Sequence, residues 1–173
     1  MINKKILDKF LKIVGDRLSG DWILIGGCVL PVLGIDVRVT VDIDFIGKTP
    51  EQQTQALELM NIVAELGLPV ETINQAGAYY LTKIADYDQH LCKLHKGKKA
   101  TVYTPDLYLF LKLKLARFTE SDYTDCLEYI AYSKKQNVAS TLIRKCKSLL
   151  KSKQAATNSS DRISQLIKAL EKN

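Results

Sequence analysis

The stretch WILIGGCVLPVLGIDVRVTVDIDFIG, residues 22–47, decides the fold, because it sets two adjacent glycines and a pair of carboxylates inside an otherwise apolar run. Trp22 to Ile25 reads as a short buried strand closed by Gly26 and Gly27. Cys28 to Leu33 reads as a short helix: Pro31 lies within its first turn, where a backbone N–H has no intrahelical acceptor and proline does little harm. Gly34 ends it. Thr40 to Ile46 reads as a second strand. Strand side chains alternate faces, so Asp42 and Asp44 are expected to point one way while Val41, Ile43 and Phe45 point into the core.

Two carboxylates two residues apart on a strand stand roughly 6.5 to 7 Å from each other. At that spacing their oxygens can converge on one divalent ion or bracket two ions about 3.5 to 4 Å apart. Hard oxygen ligands with room for water and phosphate suit Mg²⁺ or Mn²⁺ rather than zinc. Gly26 and Gly27, at a strand end leading into a helix, let a phosphate approach the backbone and meet exposed N–H groups. Arg38 and Thr40 share parity with the two aspartates and join their face if the strand begins that early. The alternative for each feature taken singly is a plain turn and a solvated strand edge, and it is their conjunction that points to chemistry.

Working outward, Ile2, Ile6, Phe10, Ile13 and Val14 mark an amphipathic first helix ending before Gly20. Thr49-Pro50-Glu51 starts a helix that runs to about Leu66, with Gly67 as its stop. Short strands are expected near Val70 to Ile73 and Tyr80 to Ile84. His90 to His95 and Ala100 to Tyr103 read as strands joined by a lysine-rich turn. Thr104-Pro105-Asp106 reads as a helix start, and from there the pattern is helical, in four segments. The expectation is an α/β fold with a core over residues 1–103 and a helical region over 104–173 packed on it as one compact unit.

A chain of 173 residues, 46% of them hydrophobic, can bury a core of its own. Its first residues lack the apolar stretch and cleavage site of a secretion signal, and no run approaches the roughly 18 apolar residues of a membrane span. A cytoplasmic protein with no membrane partner is expected. Cys28, Cys92, Cys126 and Cys146 are scattered singly and read as free thiols. The net charge of +6 favours an anionic partner.

Read as GGxxLxxxGxxxRxTxDIDF, residues Gly26 to Phe45 resemble the signature of the nucleotidyltransferase superfamily typified by DNA polymerase beta, in particular its AbiEii-like and MenT-like toxin branch. YTPDLYLFLKLKLARFTESDYTDC, Tyr103 to Cys126, resembles that branch's helical segment, in which a lysine, an arginine just after it and a downstream DxxD recur. LPVETINQA, Leu68 to Ala76, resembles its variable middle segment. The resemblance covers most of Trp22 to Ile130. It implies Lys114 as a nucleotide-contacting lysine beside Arg117, with Asp122 and Asp125 as the acidic pair. The residues read by themselves agree in part: Lys114 and Arg117 share a helix face, whereas Thr119 with Asp122 equally forms a helix cap. Gly27-Cys28 stands where many relatives have Gly-Ser. The superfamily's third carboxylate has only Glu71, Asp86 and Asp88 as candidates, and none matches a motif.

The resemblance further implies a nucleotidyl group moved from a nucleoside triphosphate to an acceptor in a toxin–antitoxin or phage-defence setting, with an RNA such as tRNA as acceptor and a cognate antitoxin as partner. Catalytic roles fall on Asp42, Asp44, Lys114 and Asp125, and nucleotide binding on Gly26, Gly27, Arg38, Thr40, Arg117 and Asp122. Asp42 and Asp44 would hold the metal. A fold that has lost part of its metal site and serves as a nucleic-acid or protein-binding module is the competing expectation. A third, a simple nucleic-acid binder, rests on the acid-free stretch from Tyr129 to Ser160, where Lys134, Lys135, Arg144, Lys145, Lys147, Lys151 and Lys153 oppose an apolar face. Lys93, Lys96, Lys98 and Lys99 form a second basic tip.

Overall fold

The computed structural model describes residues 2–35, 39–155 and 160–171. It divides into two compact units, Met1–Asp106 and Leu107–Asn173.

The first unit is a mixed sheet with helices around it. Helix α1 (Lys4–Arg17) is capped by the Asn3 side chain, which accepts from the Ile6 N–H, and it buries Leu7, Phe10, Leu11 and Val14. Strand β1 (Gly20–Ile25) leads into a 3₁₀ turn (Gly26–Cys28) and the short helix α2 (Val29–Val32). Strand β2 (Ile43–Gly47) follows, then a 3₁₀ turn (Pro50–Gln55) and helix α3 (Ala56–Glu65). A further 3₁₀ turn (Val70–Thr72) precedes the two-residue strand β3 (Ile73–Asn74) and helix α4 (Ala78–Leu81). The hairpin of β4 (Leu91–Lys96) and β5 (Ala100–Pro105) completes the sheet. Its order is β3-β2-β1-β5-β4, with β1 antiparallel to β2 and parallel to β5, and β2 parallel to β3.

Alternation along these strands sorts the core. Trp22, Leu24, Ile43, Phe45 and Val102 join Phe10, Val14, Leu59, Ile62 and Val63 of the helices in one fully buried cluster. Phe45 sits at its centre, stacked on Trp22 with ring centroids 5.1 Å apart and edge-on to Phe10 at 5.0 Å. Burying each such side chain is worth about 1.5–3 kcal/mol. Ile23, Ile25 and Ile46 lie on the opposite face, where Gly77, just before α4, packs against the Ile25 side chain.

The structure departs from the expected elements in four places. Strand β2 begins at Ile43, not Thr40. Its partner β1 ends at Ile25, which pairs with Asp44, so earlier residues have no neighbour to ladder with. Thr40 makes only an isolated bridge to Ile2. Val41, expected in the core, is 64% exposed for the same reason. Tyr80 to Ile84, expected as a strand, is not one: Tyr80 and Leu81 close α4, and Leu81 and Ile84 are buried at helical spacing. Val70–Thr72 is a turn, leaving only Ile73 and Asn74 as strand. Thr104 and Pro105, read as a helix start, belong to β5, where Leu91 pairs with Pro105. A strand-terminal proline loses little by lacking an N–H.

The second unit holds four helices: α5 (Leu107–Lys114), α6 (Glu120–Lys135), α7 (Ser140–Gln154) and α8 (Ser160–Glu171). Their core includes Leu109, Phe110, Cys126, Ile130, Leu150, Ile163 and Leu166. Phe110 meets Tyr129 edge-on at 4.8 Å. The fold class is thus α/β, a mixed five-stranded sheet flanked by helices and followed by a helical region. Cys28, Cys126 and Cys146 are buried cysteines outside any disulfide and Cys92 is an exposed one. Among the described residues no helix is long and apolar enough to cross a membrane.

Candidate functional site

Gly26 and the Asp44 carboxylate of the opening stretch meet in the first unit. Because Ile25 pairs with Asp44, the Asp44 side chain stands beside the end of β1, where the chain turns away at Gly26. Gly26 has φ +70°, and a Cβ placed on it would lie 1.8 Å from the Asp44 Oδ2. Only glycine satisfies both the backbone and the space. The carboxylate therefore rests directly on the glycine turn.

Asp44 is half-buried, and its other oxygen, Oδ1, accepts a 2.7 Å hydrogen bond from the Asn74 side-chain amide. Asn74 is the residue that pairs with Asp44 in the neighbouring strand, and its own Oδ1 accepts from the Ala76 N–H at 2.9 Å. The amide is thus held from both ends and aimed at the carboxylate. Asp42 lies one residue ahead of β2 and is exposed. Its carbonyl accepts from the buried Cys28 thiol at 3.0 Å and from the Thr40 hydroxyl at 3.4 Å. Cys28 thereby ties the segment carrying Asp42 to the helical turn that follows the glycines. Thr40 is itself buried, and Arg38 falls outside the described residues.

Glu71 is exposed in the turn before β3, Asp86 lies 3.9 Å from His90, and Asp88 pairs with Lys48 at 3.1 Å. The residue paired beside Asp44 in the sheet is the neutral Asn74. Sequence reasoning missed Asn74 and the Cys28 tether. A two-residue strand has no periodicity to detect, and a thiol-to-carbonyl bond across fourteen positions leaves no local signal. Among the described residues no three acidic, histidine or cysteine side chains converge on one point.

The second block of sequence builds a separate ionic network within the helical unit. Lys114, buried at the end of α5, donates to Asp122 Oδ1 at 3.0 Å and to Asp125 Oδ2 at 2.7 Å. Arg117 grips both oxygens of Asp122 at 2.9 Å. Thr119 caps α6 by accepting from the Asp122 N–H, while the Asp122 carboxylate accepts from the Thr119 N–H, a complete capping box. Burial alone would raise the Asp122 carboxyl, but the Arg117 hydrogen bonds, the Lys114 charge and the Thr119 donors together hold it well below the usual carboxylate range. The structure thus joins Lys114, Arg117, Asp122 and Asp125 to one another, and joins Asp44 to Gly26.

The site as built is thus one carboxylate, Asp44, seated on the Gly26 turn and held by Asn74, with the exposed Asp42 two residues before it. Neither the curated proteins nor the solved structures contain a significant match to the chain. Residues 4–169 match the family model described as "Nucleotidyltransferase of unknown function (DUF6036)", nearly the whole length, and the chain belongs to that nucleotidyltransferase family.

Proposed function

We propose that the protein is a metal-dependent nucleotidyltransferase that moves a nucleotidyl group from a nucleoside triphosphate to an RNA acceptor such as tRNA, in a toxin–antitoxin or phage-defence setting. The observation that carries the reading is the seating of the Asp44 carboxylate on the Gly26 turn. It sets a cation ligand beside backbone that polyphosphate can approach.

Asp42 and Asp44 are the residues that would hold Mg²⁺ or Mn²⁺, which takes few protein ligands and completes its shell with water and substrate phosphates. When bound, the ion supplies positive charge at the α-phosphate and lowers the pKa of the attacking hydroxyl. The chain's own part is positional. Asn74 fixes Asp44 in one orientation, the Cys28 thiol anchors the backbone at Asp42, and N–H groups of the Gly26–Cys28 turn receive the leaving phosphates. In the transfer the acceptor oxygen bonds to the α-phosphorus, the bond from that phosphorus to the bridging oxygen breaks, and pyrophosphate leaves. The hydroxyl proton passes to solvent. Arg38 and Thr40 enter this reading through their strand parity with the aspartates, and Lys114, Arg117, Asp122 and Asp125 chiefly through the resemblance.

Incubation with each of the four α-³²P-labelled triphosphates, Mn²⁺ and total tRNA tests the proposal. Label is expected in RNA with at least one triphosphate and not with Asp44→Ala. No incorporation with any of the four contradicts it. One observation favours a second reading, a degenerate transferase acting as a binding module: Asn74 puts a neutral amide where a further metal ligand would strengthen the site. That reading expects RNA or protein binding indifferent to Asp42→Ala and Asp44→Ala.

A further inference from the structure

The chain's charge is unevenly divided. Residues 107–173 carry thirteen basic and six acidic side chains, a net +7, whereas residues 1–106 carry twelve and thirteen, a net −1. The whole excess resides in the helical unit, and α7 is its most one-sided element, with five basic residues and no acid in STLIRKCKSLLKSKQ.

The helix sorts these residues cleanly. Cys146 and Leu150 are buried, with Leu142, Ile143 and Leu149 half-buried beside them. On the outer face Thr141, Arg144, Lys145, Ser148, Lys151 and Ser152 are all exposed. At 100° per residue they fall within a single arc of about 120°, and from Thr141 to Ser152 the strip is about 16 Å long. Lys147 lies off the strip and reaches Glu171 at 3.7 Å. What remains outward is an acid-free alternation of cations and small hydroxyls, the groups that contact phosphate oxygens without reading sequence.

We infer that this face of α7 is a docking strip for the phosphate backbone of an RNA strand, an inference that rests on the acceptor being RNA. A cation strip interleaved with hydroxyl donors complements regularly spaced phosphates. It gives affinity and register, leaving choice of the reacting end to the site at Asp42 and Asp44.

The test uses the full chain in EDTA without triphosphate, so that it reads docking and not transfer. Fluorescence anisotropy follows a labelled, mixed-sequence single-stranded RNA over a salt series. The combined variant Arg144→Glu, Lys145→Glu and Lys151→Glu is expected to weaken binding at least tenfold at about 100 mM salt and to flatten the log–log salt slope by about 2, the share of three phosphate contacts on a single strand. The milder Arg144→Gln, Lys145→Gln and Lys151→Gln set should show the same slope change should the glutamates disturb folding. Charge reversal of Lys93, Lys96 and Lys98 on the hairpin should leave the affinity within about twofold of the parent. The inference is overturned if the α7 sets bind RNA with the parent's affinity and salt slope, or if the parent itself binds no RNA. Incorporation that persists in the α7 variants at saturating RNA would separate failure of docking from failure of the transferase reading.

Discussion

At Gly26 the backbone and a carboxylate approach so closely that substitution is expected to report on the site directly. Gly26→Ala adds a methyl where Asp44 Oδ2 already lies and forces a side chain to φ +70°. The expected loss is about 2–4 kcal/mol, combining the left-handed backbone penalty with overpacking. Gly34 is the control, at φ +83° with nothing within 4 Å of a new Cβ. Gly34→Ala should cost only about 1 kcal/mol and leave metal-dependent nucleotide binding intact, as thermal unfolding and titration calorimetry will show. At Asn74, replacement by aspartate removes the amide that now steadies Asp44 and supplies a third carboxylate. Asn74→Asp is expected to tighten Mn²⁺ at least tenfold in an EPR titration while lowering stability in metal-free buffer by about 1 kcal/mol. Unchanged Mn²⁺ affinity would show that residue 74 does not face the ion. Strand parity and a glycine pair made Asp44 and Gly26 legible in sequence. Asn74 was not, since its place follows from pairing with a strand thirty residues away.

At the scale of the element, the network around α6 is more integral to the helical unit than the sequence alone shows. The Thr119–Asp122 capping box was visible as local spacing, but the burial of Lys114 between Asp122 and Asp125 is tertiary. Asp122→Asn leaves Lys114 paired with Asp125 and takes a carboxylate partner from Arg117, whose side chain is 70% exposed, so it should cost about 1–3 kcal/mol at neutral pH. The pH dependence has a fixed sign. The Asp122 carboxyl is depressed in the folded state, so its contribution is complete above the ordinary carboxylate value of about 4 and is lost as pH falls through the depressed one. Acid titration of helical circular dichroism should therefore show a loss of helix below about pH 4 that is shallower in Asp122→Asn. A parallel acid limb in both proteins contradicts the assignment. The start of β2 teaches the converse lesson. Its apolar alternation runs back to Val41, but alternation marks which residues can form a strand, and only a partner makes them one.

For the whole molecule, the order of elements was largely readable, because glycine and proline punctuate the segments as far as Pro105 and the helices beyond it, which hold neither residue, show their apolar periodicity between polar breaks. The small elements between α3 and β4 were not, for two- and four-residue pieces are set by what they pack on. Family membership confirms the nucleotidyltransferase reading at the coarse level, and the proposal beyond it stands on Asp42 and Asp44. Its most direct test is calorimetric titration of a nucleoside triphosphate into the parent protein and into Asp42→Ala with Asp44→Ala, each with Mn²⁺ and with EDTA. The parent is expected to bind triphosphate only with Mn²⁺, and the double variant not to bind it. Binding that is equally strong in EDTA, or that survives loss of both aspartates, would contradict the proposal.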